Sequence, residues 1–124
     1  LFCHQYALSK LKSEGYKLAL GSNSVRITID MMLGKADLMK YMDFTLSNQD
    51  VTKSKPDPEI YNTAISRFGL KPEECLIVED NPNGVKAALA SGAHLLKVET
   101  VYDVNYQNIR SRIDEIEQGI KEAA

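Results

Sequence analysis

The chain has 124 residues, of which 44% are hydrophobic and 26% are charged, and its formal net charge at pH 7 is -2. A single domain of this size can bury about two-thirds of its unfolded surface, so we expect a hydrophobic core. The charge provides no basic surface for nucleic acid, and no apolar run reaches the roughly 18 residues of a membrane span. We therefore predict one domain over 1–124, in the cytoplasm, that binds neither nucleic acid nor a membrane.

Cysteines and histidines are too scattered in this sequence to form a structural metal site. Cys3, Cys75, His4 and His94 show none of the spacings, such as CxxC or HExxH, that are typical of zinc ligands. Cys75 stands at the start of an apolar run. We therefore expect it to be a buried, unreactive thiol.

Helical periodicity and short aliphatic runs alternate along the whole chain. Gly15 and Gly34 are expected to end the first two helices, and Asn23 or Ser24 is expected to cap the second. Asp57 is expected to cap a later helix that begins with a proline. In order, the prediction is a helix over 2–14, a strand over 16–20, helices over 25–33 and 36–42, a strand over 43–47, a helix over 57–68, a strand over 75–79, a helix over 85–90, a strand over 94–98 and a helix that begins at Asn105.

This alternation predicts an α/β fold with a parallel sheet and helices on both of its faces. Right-handed crossovers bring the carboxyl ends of parallel strands to one edge of the sheet. Ligands of such folds bind beyond that edge. Candidate functional residues are therefore sought in the loops that follow the predicted strands.

Two adjacent acids, Glu79 and Asp80, follow the aliphatic run Leu76-Ile77-Val78. Carboxylates at the end of a buried strand are costly unless a cation meets them. Hard oxygen ligands favour Mg²⁺. We therefore predict a Mg²⁺ site with Asp80 as a ligand and Glu79 as a second ligand or a supporting acid; the alternative is a solvated acidic turn.

Two other loops carry groups that suit a phosphate. The Gly21-Ser22-Asn23-Ser24 loop joins a strand to a helix, so its backbone N–H groups and hydroxyls can approach an anion. Lys55 precedes a proline, which holds it extended in front of the next helix as a fixed cation. An ordinary N-cap turn and a solvated lysine are the alternatives. Together with the acidic pair, these loops supply what phosphoryl transfer requires.

Three motifs in this order resemble the haloacid dehalogenase-like (HAD) superfamily, most closely its phosphatase and β-phosphoglucomutase-like branch. The segments are LALGSNS at 18–24, VTKSKPDPEIY at 51–61 and LIVEDNPNGVKAA at 76–88, and the similarity extends over about 5–98. The resemblance implies a Rossmann-like core and a small phosphorylated metabolite as the substrate. A haloacid dehalogenase proper is disfavoured, because its chemistry does not require the metal that the acidic pair suggests.

The resemblance also implies a role for each candidate residue. Ser22 corresponds to a ligand of a phosphate oxygen, assisted by the backbone of Asn23. Lys55 corresponds to the lysine that binds phosphate and offsets the charge of the nucleophile. Asp80 corresponds to a Mg²⁺ ligand, and Glu79 to a metal ligand or a supporting acid. A role for Arg26 is left open between a contact with the distal part of a substrate and an ordinary surface position.

One expected motif is missing from the sequence. Members of the superfamily carry Asp-x-Asp-x-Thr after their first strand, and its first Asp attacks phosphorus to form an aspartyl-phosphate; no such motif occurs here. We therefore expect a single partial core domain over 1–124 that lacks the first strand and the cap. We expect such a chain to bind phosphate and Mg²⁺ without turnover, and to self-associate or to be complemented by an N-terminal part. A degenerate, non-catalytic binding module is the alternative.

Overall fold

The computed structural model describes residues 2–123 and shows the predicted alternation of helices and strands. Short 3-10 turns lie in several of the connections. The elements are α1 (Phe2–Ser13), β1 (Ala19–Gly21), α2 (Arg26–Lys35), β2 (Phe44–Leu46), α3 (Glu59–Phe68), β3 (Leu76–Glu79), α4 (Pro82–Ser91), β4 (His94–Lys97) and α5 (Tyr106–Ala123). The predicted α/β class is confirmed.

The strands form two separate parallel pairs. In the first pair β1 lies beside β2, with Gly21 opposite Leu46. In the second pair β3 lies beside β4, with Glu79 opposite Lys97. Within residues 2–123, no strand pairs with the edge of β1 that faces away from β2, or with the edge of β3 that faces away from β4. The single parallel sheet of the prediction is therefore present as two halves, each with an open edge.

The main core lies between α3, α4 and the strands. Ile60 of α3 is 1% exposed, and Ala87 and Ala88 of α4 are fully buried. The small alanine side chains let α4 approach the second strand pair closely. The remaining buried members of this cluster are Leu46, Tyr61, Ile65, Ile77 and Ala93. Three apolar side chains of α3, Ile60, Tyr61 and Ile65, are therefore buried in this core.

Helix α3 begins at Glu59, with Pro58 as its N-cap residue rather than as the first helical residue that the sequence predicts, and its first turn also shapes the loop before it. The Asp57 carboxylate accepts a hydrogen bond from the backbone N–H of Glu59 (2.9 Å), as a capping side chain does. The Glu59 carboxylate accepts from the backbone N–H groups of Thr52 (2.7 Å) and Lys53 (3.1 Å). Hydrogen bonds from Thr52 hold the pKa of Glu59 below its usual value. These contacts tie the loop that carries Lys55 to the start of α3.

The start of α2 differs from the prediction. Neither Asn23 nor Ser24 caps this helix, since Val25 precedes it without a side-chain cap. The backbone N–H of Arg26 donates instead to Gln49 Oε1 (2.9 Å), which comes from the loop after β2. A distant side chain thus satisfies one of the free N–H groups at the start of the helix.

The predicted helix over 36–42 is wrong, because only the 3-10 turn Met39–Tyr41 forms there. Asp37 has a φ of 55°, and this left-handed conformation prevents the chain from continuing as an α-helix. Met39, in this turn, is 38% exposed. The preceding helix also continues through Gly34 to Lys35, two residues beyond the predicted end at residue 33.

Smaller differences concern element ends and one thiol. The first strand covers Ala19–Gly21 rather than 16–20. Helix α4 begins at Pro82 rather than at residue 85, because Asn81 Oδ1 accepts from the N–H of Asn83 (2.8 Å). Cys75 is only partly buried, so the expected fully buried thiol is wrong.

The last helix, α5, is capped by Asn105 as predicted, since Asn105 Oδ1 accepts from the N–H of Asn108 (2.9 Å). Its apolar stripe is only partly covered: Ile109 is 6% exposed, whereas Ile120 is 59% exposed. No helix in residues 2–123 has both the length and the apolar character required to cross a membrane.

Candidate functional site

The three loops singled out in the sequence meet at the carboxyl ends of β1 and β3. Lys55 Nζ donates to the backbone oxygen of Gly21 (3.1 Å) and to Glu79 Oε2 (2.8 Å). The backbone N–H of Lys55 donates to Asn23 Oδ1 (3.3 Å). One lysine therefore links the last residue of β1, the last residue of β3 and the small-residue loop between β1 and α2.

The Lys55–Glu79 ion pair is largely withdrawn from solvent, with both side chains 10% exposed. Tyr61 donates its hydroxyl to the same oxygen, Glu79 Oε2 (2.5 Å). The Lys55 ammonium also lies 4.9 Å from the centre of the Tyr61 ring. Burial raises the pKa of Tyr61 well above its usual value, and the hydrogen bond to Glu79 adds to this shift. The phenol is therefore a proton donor at every physiological pH.

Gly84, in the first turn of α4, provides the space in which the Glu79 carboxylate lies. A Cβ atom at position 84 would lie 1.9 Å from Glu79 Oε2 and 2.4 Å from Glu79 Oε1. No side chain fits at that distance unless the carboxylate moves. The glycine is thus required by close packing against Glu79.

The serine loop has the geometry of a tight turn. The backbone N–H of Ser22 donates to the Leu46 oxygen (3.0 Å), which extends the β1–β2 pairing by one residue. Its hydroxyl oxygen accepts from the N–H of Ser24 (3.1 Å), so the hydroxyl proton can still be donated. Asn23 is exposed beside it. The loop thus presents a hydroxyl donor next to the strand end where Lys55 Nζ lies.

The two acids of the predicted metal pair lie in different surroundings. Glu79 is buried, and its carboxylate accepts hydrogen bonds from Lys55 and Tyr61. Asp80, the residue directly after β3, is exposed. Nowhere in the described part of the chain do three or more His, Cys, Asp or Glu side chains gather as a ready metal site. Of the two acids, Asp80 is therefore the one that is open to a ligand from solvent, whereas the Glu79 carboxylate is already engaged inside the protein.

Arg26 belongs to an internal network. One of its terminal nitrogens donates to the Thr45 oxygen (2.9 Å) and to Asp50 Oδ2 (2.5 Å), and the other donates to the Thr45 hydroxyl. Asp50 also accepts from the N–H (2.7 Å) and hydroxyl (2.9 Å) of Ser47, which is fully buried. The guanidinium thus joins α2 to the end of β2. This favours a structural role over a contact with substrate.

The Asp50 carboxylate is expected to make stability depend on acid pH. Hydrogen bonds from Ser47, supported by Arg26, lower the pKa of Asp50. A lowered folded-state pKa means that the carboxylate stabilises the fold above its unfolded-state pKa of about 3.9, and that this contribution is lost as pH falls through the folded-state value. Asp50→Asn should lower the free energy of unfolding at pH 7 by about 1 kcal/mol, because the site is partly exposed.

Urea unfolding at pH 7 and pH 3 measures this effect. The difference between Asp50→Asn and the parent chain should be smaller at pH 3, which lies below the unfolded-state pKa of about 3.9, because protonation of the unfolded carboxylate there offsets part of its contribution. Asp30→Asn is the control, since Asp30 is 52% exposed and lies 3.9 Å from Arg26. An equal loss of stability for the two variants at pH 7 would contradict the role assigned to Asp50.

Comparison with known proteins agrees with this arrangement of loops. The family model described as "Haloacid dehalogenase-like hydrolase" matches residues 4–98. The chain belongs to this family. The HAD-like motifs at 18–24, 51–61 and 76–88 all lie inside the matched region.

Two curated relatives of this HAD-like chain are named as phosphatases. A phosphorylated carbohydrates phosphatase of Thermotoga maritima is 36% identical over 98 residues, which cover 79% of this chain and 43% of that protein. A phosphoglycolate phosphatase of Nitrosospira multiformis is 33% identical over 96 residues, covering 77% of this chain and 42% of that protein. The chain thus spans less than half the length of these two relatives.

A solved structure shows the same relation. The putative β-phosphoglucomutase of Thermotoga maritima is 28% identical, with a TM-score of 0.75, over 98% of this chain and 60% of that one. The resemblance to the phosphatase and β-phosphoglucomutase-like branch is therefore confirmed, and so is the HAD-like core fold. The partial-core prediction stays a prediction.

Sequence reasoning missed the contributions of Tyr61 and Gly84 to this HAD-like site. The sequence places Tyr61 only at the end of the motif over 51–61, and Gly84 only inside the motif over 76–88. A signal is present for the tyrosine, because a buried phenol needs a hydrogen-bond partner and Tyr61 is the last residue of the motif that carries Lys55. For Gly84, the sequence offers no sign that a carboxylate of the preceding strand lies against it.

Proposed function

We propose that this chain is the core portion of a cytoplasmic, Mg²⁺-dependent phosphohydrolase or phosphomutase that acts on a small phosphorylated metabolite. The observation that carries the proposal is the position of the Lys55 ammonium, held between the ends of β1 and β3 beside the serine loop and the acidic pair. The names of the two curated phosphatases and of the phosphoglucomutase neighbour support the same substrate class.

Each group of the site has a distinct task in this proposal. The Ser22 hydroxyl and the backbone N–H of Asn23 donate hydrogen bonds to phosphate oxygens. Lys55 supplies a fixed positive charge, which stabilises negative charge that develops during transfer. Asp80, with Glu79 as the supporting acid, would hold Mg²⁺, and the bound ion offsets charge on the phosphate and orients it.

The nucleophile belongs to a segment outside these 124 residues in this proposal, because the sequence contains no Asp-x-Asp-x-Thr. An oxygen of that aspartate bonds to phosphorus as the ester oxygen leaves with the electron pair, and a proton from the second aspartate completes the leaving group. Water or an acceptor hydroxyl then takes the phosphoryl group from the aspartyl-phosphate. The 124 residues thus form a single partial core domain that binds and orients the phosphate.

Open strand edges support a need for an additional segment. The unpaired second edges of β1 and β3 in residues 2–123 carry backbone groups that can pair with another strand. Self-association of the chain or complementation by an N-terminal part would satisfy them. The degenerate binding module remains the alternative function, since it also lacks the nucleophile and keeps the phosphate site.

Calorimetric titration with inorganic phosphate, with and without Mg²⁺, tests the binding part of the proposal. We expect Mg²⁺ to tighten phosphate binding by the 124-residue chain. In the presence of Mg²⁺, Asp80→Asn should weaken phosphate binding about tenfold relative to the parent chain, because a charged metal ligand is lost. Asp37→Asn is the control, since Asp37 is exposed outside the site. Failure of the parent chain to bind phosphate under either condition would overturn the proposal.

A further inference from the structure

The position of the Lys55 ammonium depends on a flexible partner. A lysine side chain has four rotatable bonds, so its charge lies where its acceptors hold it. One acceptor, the Gly21 oxygen, belongs to the backbone of β1 and is fixed. The other acceptor, the Glu79 carboxylate, ends a side chain that can itself rotate. The location of the cation therefore depends on what holds Glu79.

Two features hold the Glu79 carboxylate. The Tyr61 hydroxyl donates to the same oxygen that accepts from Lys55, and the missing Cβ of Gly84 leaves room for both carboxylate oxygens. Tyr61 is 9% exposed and belongs to the core cluster, so its own ring is fixed by packing. Packing of α3 thus determines where Tyr61 lies, then where Glu79 lies, and then where the Lys55 ammonium lies.

We infer that Tyr61 is a positioning residue for phosphate binding, acting through Glu79 on Lys55, and that Gly84 completes the same arrangement. This inference rests on the proposed function, in which Lys55 binds phosphate. Neither residue touches the phosphate itself. The hydroxyl is the functional part of Tyr61, because a phenylalanine would keep the packed ring and its face toward Lys55 but would leave the carboxylate free to rotate.

The test compares Tyr61→Phe with Tyr16→Phe. Tyr16 is a matched control, because its partly buried hydroxyl accepts from Arg110 (3.0 Å) away from the site. The readouts are the affinity for inorganic phosphate, the NMR signal of the Lys55 ammonium and the melting temperature. We expect Tyr61→Phe to weaken phosphate binding about tenfold and to shift or broaden the ammonium signal. Tyr16→Phe should lower the melting temperature and leave the other two readouts unchanged.

Gly84→Ala provides a second variant that does not remove any hydrogen-bonding group. Alanine is the better helix former, so a loss of function cannot come from a weaker α4. Its Cβ should push the Glu79 carboxylate away from Tyr61 and Lys55, with the same effect on phosphate affinity and on the ammonium signal. This variant decides the question if Tyr61→Phe fails to fold.

The outcomes separate this inference from the proposed function. The positioning role would be overturned if Tyr61→Phe left both the phosphate affinity and the Lys55 signal unchanged. If Tyr61→Phe does not fold, the same result in Gly84→Ala would overturn it. In either case the proposed phosphate site itself would stand. A parent chain that binds no phosphate would overturn the proposed function. An altered Lys55 signal with weakened phosphate binding, absent from Tyr16→Phe, supports the inference.

Discussion

Lys55→Met is expected to lower the free energy of unfolding by about 3–5 kcal/mol, because it leaves a buried carboxylate without its cation. The expectation follows from the low exposure of the pair, 10% for each side chain. Methionine has a similar length and replaces the stem of the lysine, so the lost charge is the main change. Urea unfolding at pH 7 measures the effect, and phosphate binding should be abolished in the same variant.

A neighbouring lysine and a double variant control this experiment. Lys53 lies in the same loop but is exposed, so Lys53→Met should change stability by less than about 0.5 kcal/mol. Adding Glu79→Gln to Lys55→Met removes the unpaired charge and should recover part of the lost stability without restoring phosphate binding. Equal effects at Lys53 and Lys55, or a double variant less stable than Lys55→Met, would contradict the buried ion pair.

The second large effect concerns turnover. The 124-residue chain alone is expected to hydrolyse p-nitrophenyl phosphate no faster than the uncatalysed background, because it carries no Asp-x-Asp nucleophile. Supplying an upstream segment that contains this motif should produce Mg²⁺-dependent hydrolysis. Asp80→Asn in the complemented protein should lower kcat by about a hundredfold to a thousandfold, since it weakens charge stabilisation in the transition state.

Two results would change this account of turnover. Hydrolysis by the 124-residue chain that Asp80→Asn abolishes would show a self-sufficient site and would refute the missing nucleophile. Normal phosphate binding without hydrolysis, even after the upstream segment is supplied, would favour the degenerate binding module. Asp37→Asn should behave as the parent chain in each assay, because Asp37 is exposed outside the site.

Local signals in the sequence predicted most of the fold and the placement of the candidate site. Apolar periodicity located the helices and strands, and the capping residues Asp57 and Asn105 act as expected. Lys55, Glu79 and the serine loop converge because parallel strands with right-handed crossovers present their carboxyl ends at one edge. These inferences succeed because they depend on neighbours in the chain and on general rules of topology.

Contacts between distant residues could not be predicted in the same way. The cap of α2 comes from Gln49 rather than from the adjacent serine loop, and Arg26 is bound by the end of β2. The short helix expected over 36–42 fails because Asp37 adopts a left-handed conformation. Each case involves a backbone choice or a hydrogen bond that competes with the local preference.

The α/β order, the three loops of the candidate site and the family resemblance can all be predicted from the sequence alone, because each depends on residue types at short spacing. The pairing of the strands in two separate pairs, the internal contacts of Glu79 beside an exposed Asp80, and the hold of Tyr61 and Gly84 on the carboxylate are seen only in the folded structure. Those features depend on which atoms of distant segments come within a few ångströms. Periodicity and motif spacing contain no information about such distances.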